Sequence, residues 1–238
     1  MPRPRDATGT ATACSPAVTD LEVLRVDVDA PRRHIVLLHG AWHGAWCWLD
    51  GFAQRLAAAG ISSTIPSLRG HGGSPGGKAL NRLRLRDYVD DLAEVLGTLD
   101  APPYVLGHSM GGGIVQMLLA REDAPPIAGA VLMAPLPPSG VLPATLRTLR
   151  QAPAAFLHAN ATLDMGKIVR TPKLARRAFF AEGTPEQVVQ ASVERLRSES
   201  YLAFLDMLLF DRPPRRAPPS PPPMLVLGGS EDTIFRPS

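Results

Sequence analysis

Apolar and polar residues follow two rhythms along this chain, and the switches between them mark its elements. Residues 21–28, LEVLRVDV, are rich in aliphatic and β-branched side chains and predict a strand. Pro31, Arg32 and Arg33 make a turn. Residues 35–38, IVLL, are then wholly apolar, the pattern of a strand buried on both faces of a parallel sheet. From Trp48 to Ala59 the period lengthens to about 3.6, with Trp48, Phe52, Leu56 and Ala59 on one side, and Gly60 is placed to end that helix. Residues 61–65 predict the next strand, halted by Pro66. A second helix is predicted over 86–99, with Tyr88 or Val89, Leu92, Val95 or Leu96, and Leu99 facing inward. Strands follow at 104–106, 130–133 and 224–227, with a helix over 110–120. This alternation is the sequence form of an α/β fold with a mainly parallel sheet flanked by helices.

Residues 137–217 break the rhythm. No strand pattern is visible there, and helical pieces are predicted over 142–150, 173–180, 185–198 and 201–210. Thr184-Pro185-Glu186-Gln187 reads as a helix start, with threonine as the cap and proline in the first turn. Residues 212–223 hold seven prolines and predict a stiff, extended connector, a reading preferred to a ligand for a proline-binding domain. The expected organisation is a flexible tail over 1–19, a first core segment over 20–136, a helical cap over 137–217 and a second core segment over 218–238.

Composition narrows the class. Of 238 residues, 45% are apolar, enough for a sizeable core and too many for a disordered chain. The formal charge is +3, from 25 basic and 22 acidic residues. Only Lys78, Lys167 and Lys173 are lysines, and the arginines form no stripe, which argues against a nucleic-acid surface. Two cysteines, Cys14 and Cys47, exclude a disulfide framework and a multi-cysteine zinc site. No apolar run approaches the ~20 residues of a membrane span, and the N-terminus lacks a secretory apolar core, so a cytoplasmic protein without membrane partners is expected.

The strongest chemical signal is Gly107-His108-Ser109-Met110-Gly111, a G-x-S-x-G pattern between a predicted strand and a predicted helix. The glycines leave room for a sharp turn that projects the Ser109 hydroxyl, and the helix start aims N–H groups at a developing negative charge. A second signal, His39-Gly40-Ala41-Trp42-His43-Gly44-Ala45-Trp46, directly follows the buried strand. A loop there can present one N–H towards an oxyanion at Ser109, so Ala41 and Met110 are the candidate oxyanion donors. His39, Trp42, His43, His108 and His158 are the candidate pocket residues. Of these, His39 is read as holding its loop rather than acting as a base, and His158 as approaching from the insertion. Trp42 and Trp46 offer the pocket an apolar wall, whereas Trp48 is assigned to the core. Gly228-Gly229-Ser230-Glu231-Asp232 places Asp232 at the C-terminal end of the last visible strand, on the same rim as Ser109.

These motifs, together with R-G-H-G-x-S at 69–74, resemble the α/β-hydrolase superfamily from about residue 21 to the end. The HGAxHGAW form is similar to that of plant methyl esterases, hydroxynitrile lyases and bacterial esterase-like members. The resemblance implies an α/β-hydrolase fold with a helical cap, Ser109 as nucleophile, Asp232 as acid, with Glu231 a lesser substitute, and no metal or organic cofactor. It also implies a base histidine beyond the acid. The six histidines, His34, His39, His43, His71, His108 and His158, all precede Asp232. The expectation is therefore a truncated form, missing a strand, the base and a helix, inactive or weakly active, and prone to self-association through an exposed sheet edge.

The expected partner is a small, largely apolar carboxylic ester, met by Phe156, Leu157, Phe179, Phe180, Phe204 and Met207 of the insertion. Rival readings are a non-catalytic ligand-binding member of the fold, a hydroxynitrile lyase, a C–C hydrolase, a lactonase or an amidase.

Overall fold

The computed structural model describes residues 20–216, 218–232 and 234–235. Cys14 and the tail expected over 1–19 lie outside the described residues. Among the described residues, six strands form one sheet: β1 (Val23–Val26), β2 (Arg33–Leu38), β3 (Ile61–Pro66), β4 (Tyr104–His108), β5 (Gly129–Met133) and β6 (Met224–Leu227). Their spatial order is β1-β3-β2-β4-β5-β6. Only β1 runs antiparallel to its neighbour; β3-β2, β2-β4, β4-β5 and β5-β6 all pair parallel. The mainly parallel α/β sheet expected from the alternation is the observed one.

The apolar run of β2 is buried because both sheet faces are covered. Val36 and Leu38 enter one core with Leu85, Tyr88, Leu92 and Ile114, whereas Ile35 and Leu37 enter the other with Trp48, Ala53 and Ile65. Successive strand residues point to opposite faces, so a strand between two helical layers must be apolar at every position. The first core is covered by α2 (Leu85–Gly97) and α3 (Met110–Leu119), the second by α1 (Phe52–Ala58). Trp48 is 5% exposed, in the core as expected. The single helix predicted over 48–59 instead divides into a 3₁₀ turn at Ala45–Trp48 and α1, because Gly51 takes φ 101° between them.

The chain leaves β2 towards β3 on one side and reaches β4 on the other. Leu38 pairs with Gly107, so the loops after β2 and β4 start side by side at the carboxyl edge. Such a switch in strand order opens a crevice there.

Between β5 and β6 come α4 (Leu142–Gln151), α5 (Pro153–Thr162), α6 (Pro172–Phe179), α7 (Glu186–Arg195) and α8 (Tyr201–Leu205), the last continued by a π turn at Asp206–Phe210. Helix α5 has no counterpart in the expectation; PAAFLHANAT lacks a regular apolar spacing, and Pro153 at its first position sets the start. The expected threonine cap of α7 is corrected: Pro185 holds the cap position with no side-chain bond, and the Thr184 carbonyl accepts from Arg176 Nη1 at 2.7 Å.

The insertion is pinned to the core by a buried carboxylate. Asp206 is fully buried and accepts from Arg84 Nε (3.0 Å) and from Leu85 N (3.1 Å) at the start of α2. Among the described residues, no helix is long and apolar enough to cross a membrane. Strand β6 lies at the sheet edge with Met224, Leu225, Val226 and Leu227 all between 40% and 60% exposed.

Candidate active site

Ser109 sits in a strained turn between β4 and α3, at φ 54° and ψ −118°. A side chain with positive φ is disfavoured sterically and persists only where its surroundings over-determine it. Here Ser109 N donates to Met133 O (3.0 Å), and Ser109 O accepts from Leu136 N (2.8 Å) and Gly113 N (3.2 Å). The flanking glycines are required by space. A Cβ on Gly111 would stand 2.5 Å from the His39 carbonyl oxygen, and one on Gly107 would collide with the Gly111 backbone. The motif therefore means sterically what its sequence suggests.

The loop after β2 approaches the elbow closely, since a Cβ on Gly40 would lie 3.0 Å from the Ser109 Cβ. His39 is fully buried; its Nδ1 donates to Gly40 O (2.8 Å) and its Nε2 accepts from Leu68 N (3.0 Å). Both ring nitrogens are committed, and burial holds its pKa well below the ordinary value. His39 thus braces the loop and does not line the cavity, which corrects its assignment as a pocket residue. Holding the Gly40 carbonyl also orients the Ala41 N–H, because the two belong to one planar peptide. The other candidate donor, Met110, is the first residue of α3, and first-turn N–H groups have no partner within the helix.

Ser109, Ala41, Trp42, His43, His108 and Asp232 line one cavity of about 830 Å³. Asp232 stands in the turn after β6, where its Oδ1 accepts from Ile234 N (2.7 Å) and Phe235 N (2.8 Å). The insertion supplies the opposite wall, with Phe156, Phe179, Phe180, Phe204 and Met207 all facing the space. Leu157 does not; it is 62% exposed. Trp42 and Trp46 line the cavity as expected. An aromatic group forms at its wall, where the His43 ring stacks on Trp46 (5.3 Å) and meets the Phe179 edge (4.9 Å).

His43 Nδ1 donates to Ala41 O at 2.8 Å, leaving Nε2 as the lone-pair nitrogen, and burial lowers its pKa to about 4. His108 is lowered by burial, against the opposing charge of Asp232. His158 is corrected: it is exposed on α5, its Nε2 accepts from Lys167 Nζ (2.8 Å), and it is absent from the cavity lining. His34 pairs with Thr64 Oγ1 at 2.8 Å, on the sheet. Among the described residues, none of the six histidines hydrogen-bonds Ser109 or Asp232.

His71 is fully buried. Its Nδ1 faces Arg69 O (3.1 Å) and its Nε2 faces Glu199 Oε2 (3.0 Å), two acceptors that require both nitrogens to donate. Burial opposes that cation, but the Glu199 charge and hydrogen bond outweigh it, so the His71 pKa is raised and that of Glu199 lowered. Glu199 also accepts from Tyr88 OH (2.9 Å) and Ser200 N (2.7 Å). This cluster, which joins the insertion to the core beneath the site, carries no sequence signal. Tyr88 reads simply as an inward residue of α2, and Glu199 lies in a short polar link.

The sequence of residues 35–238 matches the model described as "Alpha/beta hydrolase family". A monoacylglycerol lipase of Mycolicibacterium smegmatis is 31% identical over 223 residues, 90% of this chain and 75% of that protein. Methyl jasmonate esterase 1 of Vitis vinifera is 38% identical over 92 residues, so this match spans 37% of the chain and only 34% of the relative. An esterase from Exiguobacterium antarcticum shares the fold, with a TM-score of 0.66 at 19% identity over 91% of this chain and 80% of its own.

Proposed function

The chain belongs to the alpha/beta hydrolase family, and on that premise we propose that it is a serine hydrolase of small, largely apolar carboxylic esters, with the helical insertion as its cap. The observation that carries this reading is Ser109 held at φ 54° on its elbow and opening onto a cavity walled by aromatic and aliphatic side chains. Its relatives include a lipase and an esterase, which agrees with an ester as substrate.

In the proposed reaction the Ser109 hydroxyl loses its proton to a base and its oxygen attacks the ester carbonyl carbon. The carbonyl electron pair moves onto oxygen, where the Ala41 and Met110 N–H groups receive it. Collapse of the tetrahedral species expels the alkoxide, which takes up a proton and leaves as alcohol. Water then attacks the acyl-enzyme, releasing the acid and restoring the Ser109 hydroxyl. Asp232 is the orienting acid of this scheme.

The base is the open position. His43, with its pKa near 4, is a weak proton acceptor, and His39 and His71 have both nitrogens engaged. Turnover by these 238 residues alone is therefore proposed to be weak, resting on Ser109 and the oxyanion donors. A second reading, a ligand-binding member without turnover, draws on the same lack of a histidine bonded to Ser109.

A fluorophosphonate probe and a short aryl ester separate the two. Labelling at Ser109 with slow ester turnover, both abolished in Ser109→Ala while the variant stays folded, supports the hydrolase. Equal turnover in the variant refutes Ser109 as nucleophile, and saturable ester binding with neither labelling nor turnover establishes the binding protein.

A further inference from the structure

Trp42 joins the insertion to the loop of the candidate oxyanion donor through hydrogen bonds on both its backbone and its side chain. Its carbonyl accepts from Arg197 N at 3.0 Å, and its indole Nε1 donates to Met165 O at 3.0 Å. Both partners belong to the insertion: Met165 opens the 3₁₀ turn after α5, and Arg197 lies just beyond α7. The two gripping segments are tied to each other, since Ser198 Oγ accepts from Gly166 N (3.0 Å) and donates to Asp164 Oδ1 (2.8 Å). The next residue is Glu199, anchored in the core by His71 and Tyr88.

Trp42 itself has φ 66°, a left-handed conformation that a bulky side chain adopts only under constraint. It directly follows Ala41. Three successive carbonyls of this loop are each held by a different donor, Gly40 O by His39, Ala41 O by His43 and Trp42 O by Arg197. The first two donors come from the loop itself, and the third comes from the insertion.

We propose that Trp42 is a positioning residue through which the seated insertion completes the setting of the oxyanion loop, so that the Ala41 N–H, already turned by the His39–Gly40 bond, is held firmly on the reacting oxygen when the insertion is docked. The cap then both encloses the substrate and completes the hole, a form of closure-dependent assembly. The inference rests on the reading of Ser109 as nucleophile.

Two ketones test it: an aryl trifluoromethyl ketone and the matching aryl methyl ketone. With the first, Ser109 Oγ bonds to the carbonyl carbon, the carbonyl electron pair moves onto oxygen, and the hydroxyl proton passes to solvent, leaving an oxyanion in the hole. The second binds without forming an adduct. Trp42→Phe keeps an aromatic wall and deletes the Nε1 bond. It is expected to weaken the trifluoromethyl ketone about tenfold more than it weakens the methyl ketone, a fraction of the loss seen when an oxyanion donor is removed outright. Equal weakening of both ketones would reduce Trp42 to a lining residue and overturn the proposal.

Ser198→Ala provides a second variant, since the Ser198 hydroxyl hydrogen-bonds no cavity-lining residue. Faster amide hydrogen exchange at Ala41 to His43, with selective weakening of the trifluoromethyl ketone, supports the coupling, and unchanged exchange refutes it. If the wild-type chain binds both ketones alike, the nucleophile reading fails, while the exchange result still decides whether the insertion holds the loop.

Discussion

Replacing Glu199 by alanine removes the anion at the centre of the buried cluster between insertion and core. Three hydrogen bonds are lost together, from His71 Nε2, Tyr88 OH and Ser200 N. Removing one partner of a buried ion pair typically costs about 3–5 kcal/mol, because the other charge is left uncompensated. His71 can relieve part of this by releasing its proton, whereas the stranded Tyr88 hydroxyl adds about 1–3 kcal/mol. A loss of about 4 kcal/mol is expected, a large fraction of a typical total of about 5–15 kcal/mol. For a domain of this size that lowers Tm by about 8–16 °C. Glu199→Gln keeps acceptors for Tyr88 and Ser200 and should lose less, about 1–2 kcal/mol.

The pH dependence gives the same pair an independent signature. The folded pKa of His71 is raised above 6.5, so its contribution is complete below that pH and fades as pH rises through the raised value. The folded pKa of Glu199 is lowered below 4.5, so its contribution is complete above that pH and fades as pH falls through the lowered value. The pair therefore stabilises fully between pH 4.5 and 6.5 and declines beyond each side. Urea unfolding across this range, for wild type and both variants, is the assay. A Glu199→Ala loss under about 1 kcal/mol, or a stability difference from wild type that is flat with pH, would refute the reasoning.

Gly111→Ala forces a Cβ to 2.5 Å from His39 O and 2.8 Å from Leu38 O, and should destabilise by about 3 kcal/mol in urea titration; a neutral result would contradict the tight elbow. Phe179→Ala removes the aromatic edge against His43 and Trp42 and should shift kcat/KM towards bulkier acyl groups in a series of aryl esters. An unchanged ratio across the series would take Phe179 out of substrate selection. The exposed apolar edge at β6 is expected to drive concentration-dependent self-association, and Val226→Lys to suppress it in light scattering. Equal scattering from both proteins would remove that edge as the contact.

The chain's local chemistry was legible in its residues wherever a steric rule acts over a few positions. The wholly apolar IVLL of β2 announces a strand covered on both faces, and Gly107, Ser109 and Gly111 announce the elbow because no side chain fits at either glycine. The helix stop at Gly60, with φ 78°, follows from the same freedom. What the linear pattern left open depends on residues far apart. His71 and Glu199 are 128 positions apart, and neither shows in sequence whether it meets solvent or a buried counter-charge. The sequence places His158 and Leu157 at the pocket because they belong to the insertion, but helix α5 turns them outwards, a rotation set by which face packs on the core. Thr184 has the chemistry of a helix cap, yet Arg176 holds its carbonyl and the helix begins beyond it. Trp42 reads as an aromatic wall, and only the docking of the insertion gives its backbone and indole their hydrogen-bond partners. Local sterics are written in neighbouring residues, whereas burial, pairing and charge state are properties of the environment that the folded chain assembles around each side chain.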